Sequence, residues 1–198
     1  MDVDWTFKPY NWLKEAKIFN KRMEVVPVSW FLENVDILIL LFTSKGVDRD
    51  GVIAKFYVTY ENFKFANLPV EVVYVPMDET AEEMAASYRS QANWFTLQFD
   101  DPLVHTLKYM YEVTCMPHLL VLKLDGTVVS SHGTFDLEEY GKNAVLTWLS
   151  TCATSNLHRR LSKEGAIYGD SWSYMNVDPT RDAKSEYQRK FQDETVEG

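Results

Sequence analysis

Two cysteines, four histidines and one acidic loop are the residues in this sequence whose chemistry could reach beyond packing. Cys115 and Cys152 stand 37 positions apart, too far to form a Cys-x-x-Cys redox pair or a zinc knuckle. Thiol–disulfide exchange needs an attacking thiolate and a resolving thiol within bonding distance, and neither cysteine has a neighbour of that kind in the sequence. Cys115, two residues before Pro117, is a candidate for single-thiol oxidation or glutathionylation. As a packing residue it is a small, inert hydrophobe. The histidines, His105, His118, His132 and His158, form no i,i+4 ligand pair and no His-x-Glu motif, so no metal site is expected. Asp48-Arg49-Asp50-Gly51-Val52-Ile53 has the look of half a calcium loop. Gly46 stands where the first acidic ligand belongs and Tyr57 where the bidentate Glu belongs, so the segment reads as a turn. Asp50 then lies near the following helix start, where its charge meets the helix dipole. There is no Gly-rich phosphate loop and no Gly-x-Ser-x-Gly elbow, and no cofactor is expected.

The elements that position these residues follow from hydrophobic patterning. Lys17 to Phe19 and Glu24 to Val26 read as two short edge strands about the turn Asn20-Lys21-Arg22. Val35 to Thr43 is a near-continuous aliphatic and β-branched run, suited to a strand covered on both faces. After the polar turn Ser44 to Gly51, apolar residues Val52, Ile53, Phe56, Tyr57, Tyr60 and Phe63 recur at helical spacing. Val70 to Val75 predicts a second buried strand. Thr80 with Glu83 has the spacing of a capping box and opens a helix through about Gln91. Asp101-Pro102 opens another, with Pro in its first turn. Leu119 to Leu124 and Thr127 to Ser131 flank Asp125-Gly126 as a hairpin. Leu137 to Leu161 contains a last long helix. Strands alternating with helices before a closing hairpin predict an α/β fold, a mixed sheet between helices.

The chain has 198 residues, with 46% hydrophobic, 14% aromatic and 25% charged residues. That is one ordinary domain with an appendage, too apolar for a disordered chain. The formal net charge of −9 disfavours phosphate backbones, so nucleic acid is not an expected partner. The longest apolar run, Ile37 to Phe42, is strand length, so no direct membrane span is expected. The acidic, aromatic start Met1-Asp2-Val3-Asp4-Trp5 fits neither a signal nor a transit peptide. Absence of a targeting segment points to a cytoplasmic or cytoskeletal (flagellar) location.

The segments VDILILLF, VEVVYVPMDETAEEM, ANWFTLQFDDP, YEVTCMPHLLVLKLDGTVV and SHGTFDLEEYGKNAVLTW resemble the thioredoxin superfamily, within it the tryparedoxin and nucleoredoxin branch. They occur in that family's order and at about its spacing, over roughly residues 13 to 155. The resemblance implies a thioredoxin-like mixed sheet flanked by helices, with Met116-Pro117 at the cis-proline position beside Cys115. It also implies an active-site loop after the first buried strand. In the family that loop carries Trp-Cys-x-x-Cys. Here the place reads Phe42-Thr43-Ser44-Lys45-Gly46-Val47-Asp48-Arg49-Asp50-Gly51, with neither cysteine. The expectation is a degenerate loop, Lys45, Gly46, Val47, Asp48, Arg49 and Asp50, on a fold without catalytic residues. By analogy with assemblies of organisms rich in tryparedoxins, a mitochondrial respiratory-complex subunit is an alternative to the cytoskeletal location.

Three parts are expected: an aromatic extension over 1–12, a thioredoxin-like domain over 13–161, and an extended polar tail over 162–198. Residues 158–198 hold seven basic and eight acidic residues, so the negative charge sits almost entirely in the body. The tail is too hydrophilic to build a core yet carries aromatic anchors at wide intervals. Trp5, Trp12, Tyr168, Trp172, Tyr174, Tyr187 and Phe191 are the expected contacts to other protein subunits of a larger complex. Ala183, Tyr187 and Phe191 would share one face of a short helix over 182–192. The expected function is a structural or accessory subunit without redox catalysis. The alternative is a single-cysteine redox sensor or oxidoreductase acting through Cys115.

Overall fold

A computed structural model describes residues 10–48 and 51–151. In chain order the elements are a 3-10 turn Trp12–Lys14, β1 Ile18–Phe19, β2 Val25–Val26, α1 Val28–Asn34 and β3 Ile37–Thr43. There follow α2 Val52–Phe65, β4 Val70–Pro76, α3 Ala81–Ser90, β5 Phe95–Thr96 and α4 Pro102–Met110. The domain closes with β6 His118–Lys123, β7 Val128–Ser130, α5 Gly133–Tyr140 and α6 Asn143–Ser150. The strands form one sheet in the order β2-β1-β5-β4-β3-β6-β7. β3 lies parallel to β4 and antiparallel to β6, so the most apolar run of the chain is covered on both edges as well as both faces.

Alternation along β3 divides its buried side chains between two cores. Ile37, Ile39 and Leu41, with Val70, Val72 and Tyr74 of β4, meet Phe56, Tyr60 and Phe63 of α2 and Trp148 of α6. Leu38, Leu40 and Phe42, with Val73 and Val75, meet Trp12, Leu13, Trp30, Phe31 and Leu107. Trp30, Phe31 and Phe95 pack edge-on at 5.1–5.4 Å between centroids, the geometry that sets positive ring edges against negative faces. Between the sheet and α2 lies one buried charge. The Glu71 carboxylate accepts from the Lys64 ammonium and, at 3.2 Å, from the Tyr60 hydroxyl. Burial pushes the Glu71 carboxyl up, and the nearby ammonium opposes that shift. No helix among the described residues is long and apolar enough to cross a membrane.

The helix starts follow their sequence signals. The Thr80 hydroxyl accepts from the Glu83 amide at 3.2 Å, and the Asp101 carboxylate accepts from the Leu103 amide at 2.9 Å. The last predicted helix is instead two. Gly141, at φ +57°, ends α5, and α6 restarts at Asn143. Residues beyond Thr151, including Cys152 and the rest of the predicted helix, lie outside the described residues. Gly133 opens α5 against β6: a Cβ there would sit 2.9 Å from both the Cβ and the carbonyl oxygen of Leu119. Three further elements have no counterpart in the sequence expectation: the 3-10 turn, α1 and the two-residue β5.

Candidate functional site

The pairing of Phe42 with His118 brings two loops to the same end of the sheet. One is Ser44 to Gly51, running from β3 into α2. The other is Cys115-Met116-Pro117, running into β6, in which the Met116–Pro117 bond is cis.

The first loop is held by its own chain. The Thr43 hydroxyl donates to the Val47 carbonyl at 2.9 Å, and the Lys45 amide donates to Asp78 Oδ1 at 2.7 Å. Asp48 Oδ1 accepts from the Ile53 amide, also at 2.7 Å. Ile53 belongs to the first turn of α2, whose N-cap Gly51 has no side chain to offer. The Asp48 carboxylate therefore meets one of the amides that every helix start leaves unsatisfied, at the positive end of the dipole. Among the described residues Asp48 makes such a charge–dipole contact, of the kind the sequence predicts for Asp50. Arg49 and Asp50 lie outside the described residues.

Behind the loop runs a polar network that sequence reasoning missed. The Tyr74 hydroxyl donates to Asp78, with the Thr43 carbonyl 3.2 Å and Ser87 Oγ 3.3 Å away. Gln91 Nε2 donates to Ser87 Oγ at 3.1 Å, and Trp94 Nε1 donates to Gln91 Oε1 at 3.0 Å. Burial, then the hydrogen bond to Asp78, pushes the Tyr74 phenol far above its ordinary range. It stays protonated and acts as a donor. Asp78 thus ties the loop amide of Lys45 to β4. The tyrosine inside the β4 run and the acid just beyond it were visible, but their convergence depends on the β3–β4 register. A groove of about 410 Å³ opens beside this network, lined by Gly46, Asp48, Ile53, Tyr57, Ser87 and Gln91 among others.

In the second loop Cys115 is exposed, and it is the one cysteine among the described residues. Its Sγ lies 3.9 Å from His118 Nδ1. Burial, and then the neighbouring His132, draws the His118 imidazole below its ordinary value. A neutral ring can accept a proton from a thiol. No group of three or more His, Cys, Asp or Glu able to hold a metal ion occurs among the described residues.

The expected partner contacts fare unevenly. Trp12 is 2% exposed, and its indole Nε1 donates to the Tyr111 hydroxyl at 3.2 Å. It packs in the core, which withdraws it from the contact surface. Trp5, Tyr168, Trp172, Tyr174, Tyr187 and Phe191 lie outside the described residues.

The sheet order, the helix layers and the apposed loops define a thioredoxin fold. Residues 34–128 match the family model described as Thioredoxin-like. Nucleoredoxin-like protein 1 of Homo sapiens is 29% identical over 129 residues, covering 61% of this chain and 60% of that protein. Probable nucleoredoxin 3 of Oryza sativa subsp. japonica is 32% identical over 74 residues, covering 37% of this chain. The chain thus spans 60% and 16% of the length of these curated relatives. Tryparedoxin I from Leishmania major superposes with a TM-score of 0.59 at 17% identity, over 66% of this chain and 89% of that one. The fold is thioredoxin-like, and the chain is similar to nucleoredoxins in sequence and to tryparedoxins in fold.

Proposed function

We propose that this protein is a thioredoxin-like accessory subunit of a larger protein assembly and performs no dithiol redox catalysis. The observation that carries this reading is the hydrogen bond from the Ile53 amide to Asp48. The helix start that would hold an attacking thiolate in a dithiol enzyme is filled here by a carboxylate, which has no sulfur to form a mixed disulfide. The sequence contains no two cysteines at the Cys-x-x-Cys spacing. With that chemistry gone, the fold remains a rigid platform. Exposed aromatic side chains such as Tyr109 and Phe135 stand ready on its surface. Isolation of the tagged chain under native conditions, followed by cross-linking and mass determination, tests the reading. The expected result is a complex of fixed stoichiometry. A protein recovered only as the free 23.0-kDa monomer would overturn it.

A second reading has its own observation, the approach of Cys115 Sγ to the neutral His118 ring. In it, hydrogen peroxide oxidises the Cys115 thiol to a sulfenic acid and leaves as water. One small thiol condenses with the product to a mixed disulfide, releasing a second water, and a second small thiol exchanges with that disulfide to restore the Cys115 thiol. Cys115→Ser separates the two. Unchanged assembly and phenotype remove the sensor, whereas lost peroxide reactivity with a matching phenotype supports it.

A further inference from the structure

A second groove, of about 370 Å³, lies away from the loop pair, between the last turns of α2 and the first turns of α6. Its walls include Asn62, Phe65, Leu68, Lys142, Val145 and Leu146. Phe65 is 57% exposed and Leu146 36%, so two large apolar side chains flank an opening that the domain itself leaves uncovered. Such a site has the size and the mixture of apolar wall and few polar groups that suit an aromatic side chain.

Three features point to one occupant. The chain leaves the described domain at Thr151, directly after α6, and α6 is itself one wall of the groove. Another 47 residues follow in the sequence. Their first aromatic cluster is Tyr168-Gly169-Asp170-Ser171-Trp172-Ser173-Tyr174. The return from Thr151 to the groove mouth at Lys142 runs back along α6, about 14 Å at 1.5 Å per residue. The segment before Tyr168 can span up to about 55 Å when extended, so reach is ample. Charge also matches. Lys142 lines the groove and has no ion pair among the described residues, and Asp170 lies between the cluster's aromatic residues. The Asn62 and Asn143 amides supply partners for an indole N–H or a phenol hydroxyl.

We infer that residues 168–174 of this chain dock intramolecularly in the α2–α6 groove, with Trp172 as the buried anchor and Asp170 facing Lys142. Tethering converts this contact into an intramolecular event whose effective concentration is of millimolar order, so a single aromatic anchor suffices. The inference is independent of the accessory-subunit reading: a free monomer would show the docked segment equally well.

Fluorine NMR on the full-length chain labelled with 5-fluorotryptophan tests it, with Trp172→Phe assigning the resonance and a soluble gadolinium chelate reporting accessibility. The Trp172 signal is expected to be shielded in the wild type. Leu146→Asp, at a partly exposed position, should raise its accessibility about tenfold, the equivalent of about 1.4 kcal/mol of lost contact. Trp94 and Trp148 should stay shielded, which shows that the domain remains folded. Val25→Asp, on the far edge of the sheet, should change nothing. A Trp172 signal as accessible in the wild type as in Leu146→Asp would overturn the inference. So would shielding that disappears on dilution, which would assign the groove to a second copy of the chain.

Discussion

The strand Ile37–Thr43 and the loop that leaves it are continuous in sequence and opposite in character. Every residue of the strand is buried, while the loop from Ser44 to Asp48 is half-buried or exposed. The strand's side chains serve two cores at once, so its composition is fixed by packing. Three side-chain-to-backbone hydrogen bonds fasten the loop, and each depends on one polar side chain: Thr43, Asp78 or Asp48. A thioredoxin fold can therefore change the chemistry at its helix start while keeping the strand that delivers the chain there. On the proposed reading, stability resides in one region and reaction type in the other.

The comparison is broken most severely from the strand side. Leu40→Ala removes a fully buried side chain from the core formed with Phe31, Phe42 and Leu107. A loss of about 2–5 kcal/mol, read from the denaturant midpoint, is expected. A smaller effect comes from the turn between β1 and β2. The Lys21 ammonium lies 3.8 Å over the Tyr88 ring and donates to the Tyr88 and Gln91 carbonyls at the end of α3. Burial draws its pKa down to about 7. The unfolded chain then binds more protons than the folded one between about pH 7 and the ordinary lysine value, so this group makes stability rise with pH across that window. Lys21→Met should flatten that rise by about 1–2 kcal/mol between pH 7 and 9. On the loop side, Asp48→Ala removes a single helix-start contact. It should cost about 0.5–2 kcal/mol, seen as a lower midpoint with an unchanged transition slope.

Much of the strand side was legible in the sequence. Ile37 to Thr43 and Val70 to Pro76 are long apolar runs, Thr80 and Asp101 are strong caps, and Asp125-Gly126 closes a hairpin. The family segments placed Met116-Pro117 correctly before β6. What was not legible depends on the fold as a whole. The first helix, Val28–Asn34, follows Pro27 and has no side-chain cap, so its start carries no signal. β5 is two residues long and exists because β4 and β1 flank it. Gly141 looked compatible with a continuous helix until its positive φ divided the last one. Trp12 was one aromatic among several near the start of the chain, and only the core shows which way it points. At the site, Asp48 and Asp50 are equivalent by sequence. Asp48 contacts the Ile53 amide, and Asp50 lies outside the described residues.

The reading of the loop as inert toward disulfides is tested most directly by turnover. The purified full-length protein, reduced and mixed with a protein disulfide substrate and excess dithiol, should reduce it no faster than the dithiol alone, and Asp48→Ala should not alter that rate. Sustained reduction at a rate comparable to a tryparedoxin measured alongside would contradict the account.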